Sequence, residues 1–169
     1  MAGVIMICGG LCCGKTTYAE ALRRERGGVI LSIDALMLAL FGPDAGEMHD
    51  EYARRAKAYL HRQALLLLEA GVDVILDWGF WRREERTAVR ALYEERGFSV
   101  ELHALDITDE TWRRRVAARN AAVQSGATDA YFVDEGLAAK FKARYERPED
   151  GEADIWIKEE KQPCPREII

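Results

Sequence analysis

The sequence is poor in the residues that would mark several familiar classes of protein. Its 169 residues include only four cysteines, four prolines and three histidines. Cys8, Cys12, Cys13 and Cys164 have no metal-ligand spacing, and Cys12 and Cys13 are adjacent. Neither a metal cluster nor a disulfide framework is expected, and a reducing cytoplasm is the simplest setting. His49, His61 and His103 are likewise too scattered for a metal motif. No apolar run approaches the length of a membrane span, so no membrane partner is expected. No basic leader precedes the first strand-like run, so no secretory signal is expected. Positive charge is not in excess, with 24 Lys and Arg against 29 Asp and Glu and a formal net charge of −5. That balance argues against a chain that lives on nucleic acid, although a local basic patch can coexist with it. Repeats and low-complexity segments are absent too. What remains is the length and apolar content of one globular domain with a sizeable core. We place it at residues 1–157, with a charged, proline-broken tail at 158–169 expected to be loosely held.

Against these absences one motif stands out. Gly9-Gly10-Leu11-Cys12-Cys13-Gly14-Lys15-Thr16 matches the phosphate-cradling pattern of Gly, four residues, Gly, Lys and Ser or Thr. An apolar run that reads as a buried strand precedes it, and a helical pattern follows it, which is the context the motif requires. Backbone N–H groups of such a turn and of the helix N-terminus point at phosphates. Lys15 adds a point charge, and the Thr16 hydroxyl suits Mg²⁺. ATP and Mg²⁺ are therefore the expected cofactors, with Gly9 to Thr16 and the following Thr17 as the nucleotide-side residues.

Nearly continuous Val, Ile and Leu runs bounded by turn signals predict five strands at 4–8, 29–33, 72–76, 99–105 and 154–157. Helical patterns fall between them at 15–26, 50–70, 82–96, 109–124 and 134–145. Strands alternating with helices predict an α/β fold with a five-stranded parallel sheet in three layers. Ligands of such sheets bind beyond the carboxyl ends of the strands. Three of the predicted strands run into an aspartate there: Asp34, Asp77 and Asp106. Asp106 reads as ordinary turn chemistry. Asp34 and Asp77 matter more, because the phosphate loop fixes where a substrate must lie.

Phosphoryl transfer to an acceptor needs a carboxylate for the acceptor hydroxyl, cations for the moving oxygens and exclusion of water. Asp34 is the candidate for the first. Asp77, after Val74-Ile75-Leu76, could serve Mg²⁺ or the acceptor, and the sequence leaves open which aspartate does which. Arg113, Arg114, Arg115 and Arg119 could supply the cations, with Arg115 and Arg119 on one helical face. A helical lid is expected near 109–125. Asp77 is followed by Trp78-Gly79-Phe80-Trp81, whose rings are expected to divide between core and acceptor pocket; Trp78, Phe80 and Trp81 are the candidates for the acceptor, and Phe80 is expected to grip it. His61 and His103 read as structural, whereas His49 is expected to face the acceptor.

These residues carry a resemblance. The phosphate loop, Leu31-Ser32-Ile33-Asp34, Leu40-Phe41-Gly42, the segment from Val74 through Asp77-Trp78-Gly79-Phe80-Trp81 to Arg86, and Arg115-Val116-Ala117-Ala118-Arg119-Asn120 resemble small bacterial P-loop ATP-binding proteins. These are AAA-domain predicted kinases, similar to the zeta-toxin, chloramphenicol phosphotransferase and polynucleotide kinase group. The likeness runs from about residue 4 to 148 and implies a P-loop kinase-like fold. It implies that Asp34 matches the carboxylate facing the acceptor hydroxyl, that Arg115 and Arg119 match lid arginines, and that Arg147 and Pro148 lie near the adenine. Cys12 and Cys13 depart from the small residues usual at those positions. The expected activity is transfer of the γ-phosphate of ATP to a hydroxyl of a small molecule such as an antibiotic, sugar or nucleoside-like metabolite. The alternatives are a polynucleotide 5′-hydroxyl kinase and a nucleotide-dependent switch without a small-molecule acceptor.

Overall fold

The computed structural model describes residues 2–42, 46–128 and 130–158. Most of the tail expected at 158–169, including Cys164, lies outside the described residues. Five strands, β1 (Gly3–Cys8), β2 (Val29–Ser32), β3 (Val74–Gly79), β4 (Ser99–Asp106) and β5 (Ile155–Lys158), form one sheet in the order β2-β3-β1-β4-β5. Every pairing is parallel; Ile5 faces Ile75 on one side and Glu101 on the other. Both faces are covered, which is why the strands are apolar without alternation. On one face Val4, Met6, Cys8, Leu76 and Leu102 pack with Ala64, Leu68, Val89 and Tyr93. On the other, Ile5, Ile7, Ile75 and Leu105 pack with Ala19 and Leu22. The predicted α/β fold with a five-stranded parallel sheet is what the chain adopts.

Among the described residues six α-helices connect and cover the strands: α1 (Lys15–Arg26), α2 (Ile33–Phe41), α3 (His49–Glu69), α4 (Arg83–Glu94), α5 (Asp109–Gln124) and α6 (Glu135–Arg144). Ala19 and Leu22 of α1 lie against one face of the sheet, and α3 and α4 supply the partners on the other. Among the described residues, no helix is long and apolar enough to cross a membrane.

Two differences from the sequence reading matter for the site. A helix, α2, follows β2 over residues to which the sequence reading gave no helix. Ser32 caps it, its hydroxyl accepting from the N–H of Ala35 at 3.3 Å, and Gly42 ends it in a left-handed conformation. Ile33, Met37, Ala56 and Leu60 then bury α2 against α3. Asp34 therefore sits in the first turn of a helix, not at a strand end. Strand β3 starts two residues later than expected and continues to Gly79, so Asp77 lies inside it and is buried.

Candidate functional site

The loop from Gly9 to Gly14 joins β1 to α1, as the motif requires. Gly14 has φ 99°, and a Cβ there would meet Arg115 Nη1 at 2.9 Å. Cys12 also adopts a left-handed conformation, φ 57°. The two unusual cysteines have separate places. Cys13 is buried, with its Sγ where a Cβ on Gly9 would lie at 2.5 Å, so it fills the space beneath the loop. Burial pushes its thiol up, with Lys15 opposing the rise, which makes a poor nucleophile. Cys12 lines the cavity and accepts from Arg119 Nη1 at 3.4 Å. The Lys15 ammonium donates to the carbonyls of Gly10 at 2.7 Å and Gly9 at 3.1 Å. It is thus held across the mouth of its own loop.

Asp77 lies directly beside this loop. Its Oδ2 accepts from the Thr16 hydroxyl at 2.8 Å. Burial holds the Asp77 carboxyl above its ordinary range; the Thr16 hydroxyl and Lys15 pull it down, and the neighbouring Asp34 carboxylate pushes it further up. A hydroxyl and a carboxylate oxygen paired at the end of a phosphate loop are hard donors suited to Mg²⁺, which takes few protein ligands and completes its shell from phosphates and water.

These groups open into a cavity of about 1040 Å³. Asp34 is exposed to it, and Trp78 and Trp81 line it. The Trp78 indole N–H donates to Leu31 O at 2.9 Å, and that of Trp81 donates to Gly9 O at 3.2 Å, so both rings are fixed by backbone. The expected place of Phe80 in this pocket is corrected. It is fully buried, packed in the main core against Trp78. Gly79 and Phe80 have successive positive φ values, 83° and 47°, and this twist turns Phe80 inward and Trp81 toward the loop. Arg86 holds the turn, donating to the carbonyls of Phe80 at 3.0 Å and Glu146 at 2.8 Å while pairing with Glu152.

Helix α5 is seated on the phosphate loop. The Trp112 indole donates to Leu11 O at 2.9 Å, Arg115 donates to Cys13 O, and Arg119 reaches Cys12. Arg119 Nε is buried with no partner among the described residues. Both expected lid arginines thus line the cavity at the loop. Beyond α5, Tyr131 meets His49 edge-on at 6.2 Å between ring centres, and both line the cavity with Asp34. Arg147 and Pro148 fall elsewhere. Pro148 is fully buried, so its expected contact with adenine is corrected: it offers no surface. Arg147 pairs with Asp106 at 2.8 Å and lies 4.5 Å from the Trp156 ring centre, outside the cavity lining.

The sequence reading placed the acceptor against helix 50–70 and named His49, but no other cavity-lining residue of α3 and none of α6. Asp50, Ala53, Arg54 and Lys57 of α3 and Leu137, Lys140, Phe141 and Arg144 of α6 line the cavity at i, i+3, i+4, i+7 spacing. That period was visible, but not which helical face turns to the site rather than to solvent.

Comparison with known proteins places this geometry. No curated protein matches the chain. A putative kinase from Chloroflexus aurantiacus j-10-fl superposes with a TM-score of 0.70 at 18% identity, over 93% of this chain and 86% of that one. The APS kinase CysC of Mycobacterium tuberculosis, solved with AMPPNP and APS, gives 0.62 at 20% identity over 95% and 90%. A sugar kinase from Janibacter sp. HTCC2649 gives 0.62 at 20% identity over 94% and 86%. At these identities the likeness establishes a P-loop kinase fold. The sequence profile of the AAA domain family matches residues 4–148, from β1 into the α6–β5 connection, and the protein belongs to that family.

Proposed function

We propose that this protein is an ATP-dependent phosphotransferase that moves the γ-phosphate to a hydroxyl of a small molecule. The observation that carries the reading is the shared cavity: the phosphate loop, the exposed carboxylate of Asp34 and the fixed rings of Trp78 and Trp81 all open into it. Lys15 and the loop N–H groups bind the triphosphate. Arg115 and Arg119 stabilise the charge spread over the transferring oxygens. Asp34 accepts the proton of the acceptor hydroxyl, and its exposure keeps it available as a base. The rings of Trp78 and Trp81 grip an apolar or flat body. Tyr131 and His49 meet on the cavity wall, where a bound acceptor would displace the water that could otherwise intercept the phosphoryl group. Thr16 and Asp77 would hold Mg²⁺, which when bound neutralises phosphate charge.

The test is a screen of hydroxyl-bearing compounds for acceptor-dependent ADP release, followed by Asp34→Asn on any acceptor found. The variant is expected to bind ATP as the parent does and to transfer roughly 10²–10⁴-fold more slowly, the range for a positioned acid–base group. Equal rates in the two proteins would remove Asp34 from the chemistry. A second reading, a nucleotide-dependent switch, is favoured by the seat of α5 on the phosphate loop. ATP binding without stimulation by any hydroxyl acceptor is the outcome that selects it.

A further inference from the structure

Seven cations line the cavity against the four carboxylates Asp34, Asp50, Asp77 and Glu85. Lys15, Arg115 and Arg119 surround the phosphate loop and account for the nucleotide. Two further pairs of cations line the same cavity from opposite helices: Arg54 and Lys57 from α3, Lys140 and Arg144 from α6. The α3 pair is neutralised. Arg54 forks onto Glu51 with two bonds of 2.8 Å, and Lys57 pairs with Glu85. The α6 pair differs. Neither Lys140 nor Arg144 makes a hydrogen bond or an ion pair with a described residue. Both occupy the face of α6 whose Phe141 packs edge-on against Trp81 at 4.5 Å, so the helix that carries them is anchored to the aromatic floor of the pocket. In a chain of net charge −5, two unneutralised cations one helical turn apart on a cavity wall form a local positive field for an anion.

Resting on the phosphotransferase reading above, we propose that the acceptor is a small hydroxyl compound that already bears an anionic group, a carboxylate or a phosphate, held by Lys140 and Arg144 while Asp34 takes its hydroxyl. The aromatic rings of Trp78 and Trp81 line the same cavity and are available to the body of the compound. A neutral sugar or alcohol of the same shape leaves both cations unanswered and gains nothing from them.

Matched pairs that differ in the anion test this directly: D-gluconate against D-glucitol, D-ribose 5-phosphate against D-ribose, and cytidine 5′-monophosphate against cytidine. Each is titrated calorimetrically into protein held with ADP and Mg²⁺, and each is assayed with ATP for phosphoryl transfer by ³¹P NMR. At least one anionic member is expected to bind at least tenfold more tightly than its neutral partner. Both residues are exposed on a helix, so Lys140→Gln and Arg144→Gln should fold. Each is expected to raise Kd for that anionic compound roughly tenfold, the scale of one charge-assisted hydrogen bond, while leaving the affinity for ADP unchanged. Lys140→Arg and Arg144→Lys should restore most of the loss. The gluconate and ribose phosphate arms distinguish a carboxylate from a phosphate. Equal or better binding of the neutral partners overturns the inference, whatever the transfer assay gives. So does a loss of ADP affinity in the glutamine variants, which would assign both cations to the nucleotide, and so does activity confined to a 5′-hydroxyl oligonucleotide. Charge-dependent binding without transfer leaves the anion site standing and sinks the phosphotransferase reading instead.

Discussion

At the residue scale the decisive contrast is within Trp78-Gly79-Phe80-Trp81. Three large rings in four positions are indistinguishable in a string of letters, since apolar area serves a core and a pocket equally well. Backbone conformation separates them. The positive φ of Gly79 and of Phe80 reverses the chain direction at the end of β3, and a Cβ on Gly79 would sit 2.7 Å from Trp81 Nε1. Phe80 therefore contributes to stability and not to ligand affinity. Phe80→Ala is expected to cost about 3–5 kcal/mol, the range for removing a buried phenyl ring, measured by urea unfolding. Any protein that remains folded should bind ATP like the parent. A variant of unchanged stability with weakened acceptor binding would return Phe80 to the pocket. Individual site residues were otherwise legible wherever a motif fixed them, as at Lys15 and Thr16. They were not where a partner far along the chain decides: Thr16 meets Asp77 61 positions away, and Arg119 meets Cys12 107 positions away.

At the element scale, the strands were readable because a doubly covered parallel strand must be apolar throughout. Helix α2 was not. Ile33-Asp34-Ala35-Leu36-Met37-Leu38-Ala39-Leu40-Phe41 is apolar almost all round, so its period is hidden, and only the Ser32 cap and Gly42 stop marked it. Helix α5 was read from its acidic first turn and its run of arginines. Arg115→Ala and Arg119→Ala are each expected to slow transfer by roughly 10²–10³-fold, as for loss of one donor to developing charge. Melting temperature should move little, because neither side chain belongs to the core clusters. Full activity in both variants would make α5 a structural cover. Between α3, β3 and α4 lies a different device. The His61 ring meets Trp78 edge-on at 4.6 Å and bonds the Tyr93 hydroxyl at 2.8 Å. Burial, with Lys57 adding to it, lowers the His61 pKa from 6.5 to about 4. The unfolded chain therefore binds this proton more readily than the folded one. Stability from this source is complete above pH 6.5 and declines as the pH falls toward 4. His61→Gln cannot titrate, so its melting temperature should fall less than the parent's across that interval. Parallel pH profiles would exclude His61 as the cause.

At the scale of the whole molecule, the cavity is the one place where most of the chain meets. Its wall takes residues from the phosphate loop, α1, α2, α3, β3, α5, α6 and the α5–α6 connection, from Leu11 to Arg144. A nucleotide bound there contacts only the folded arrangement, so it shifts the unfolding equilibrium of the entire domain by mass action. At a hundredfold excess over Kd the gain is about 2.7 kcal/mol. For a chain of this length each kcal/mol is worth about 2–4 °C in melting temperature, so a non-hydrolysable ATP analogue with Mg²⁺ should raise Tm by about 5–10 °C. Lys15→Ala supplies the control. Among the described residues Lys15 bonds only to groups of its own loop, the carbonyls of Gly9 and Gly10 and the sulfur of Cys13, and it belongs to none of the core clusters. The variant should thus melt close to the parent without ligand and lose most of the ligand-induced rise, because the missing ammonium acts on the phosphates and not on the fold. Differential scanning fluorimetry of the two proteins across a nucleotide titration reads both quantities at once. An undiminished rise in Lys15→Ala would mean that the nucleotide stabilises the domain from somewhere other than the loop between β1 and α1, and the phosphate-loop reading would fall with it.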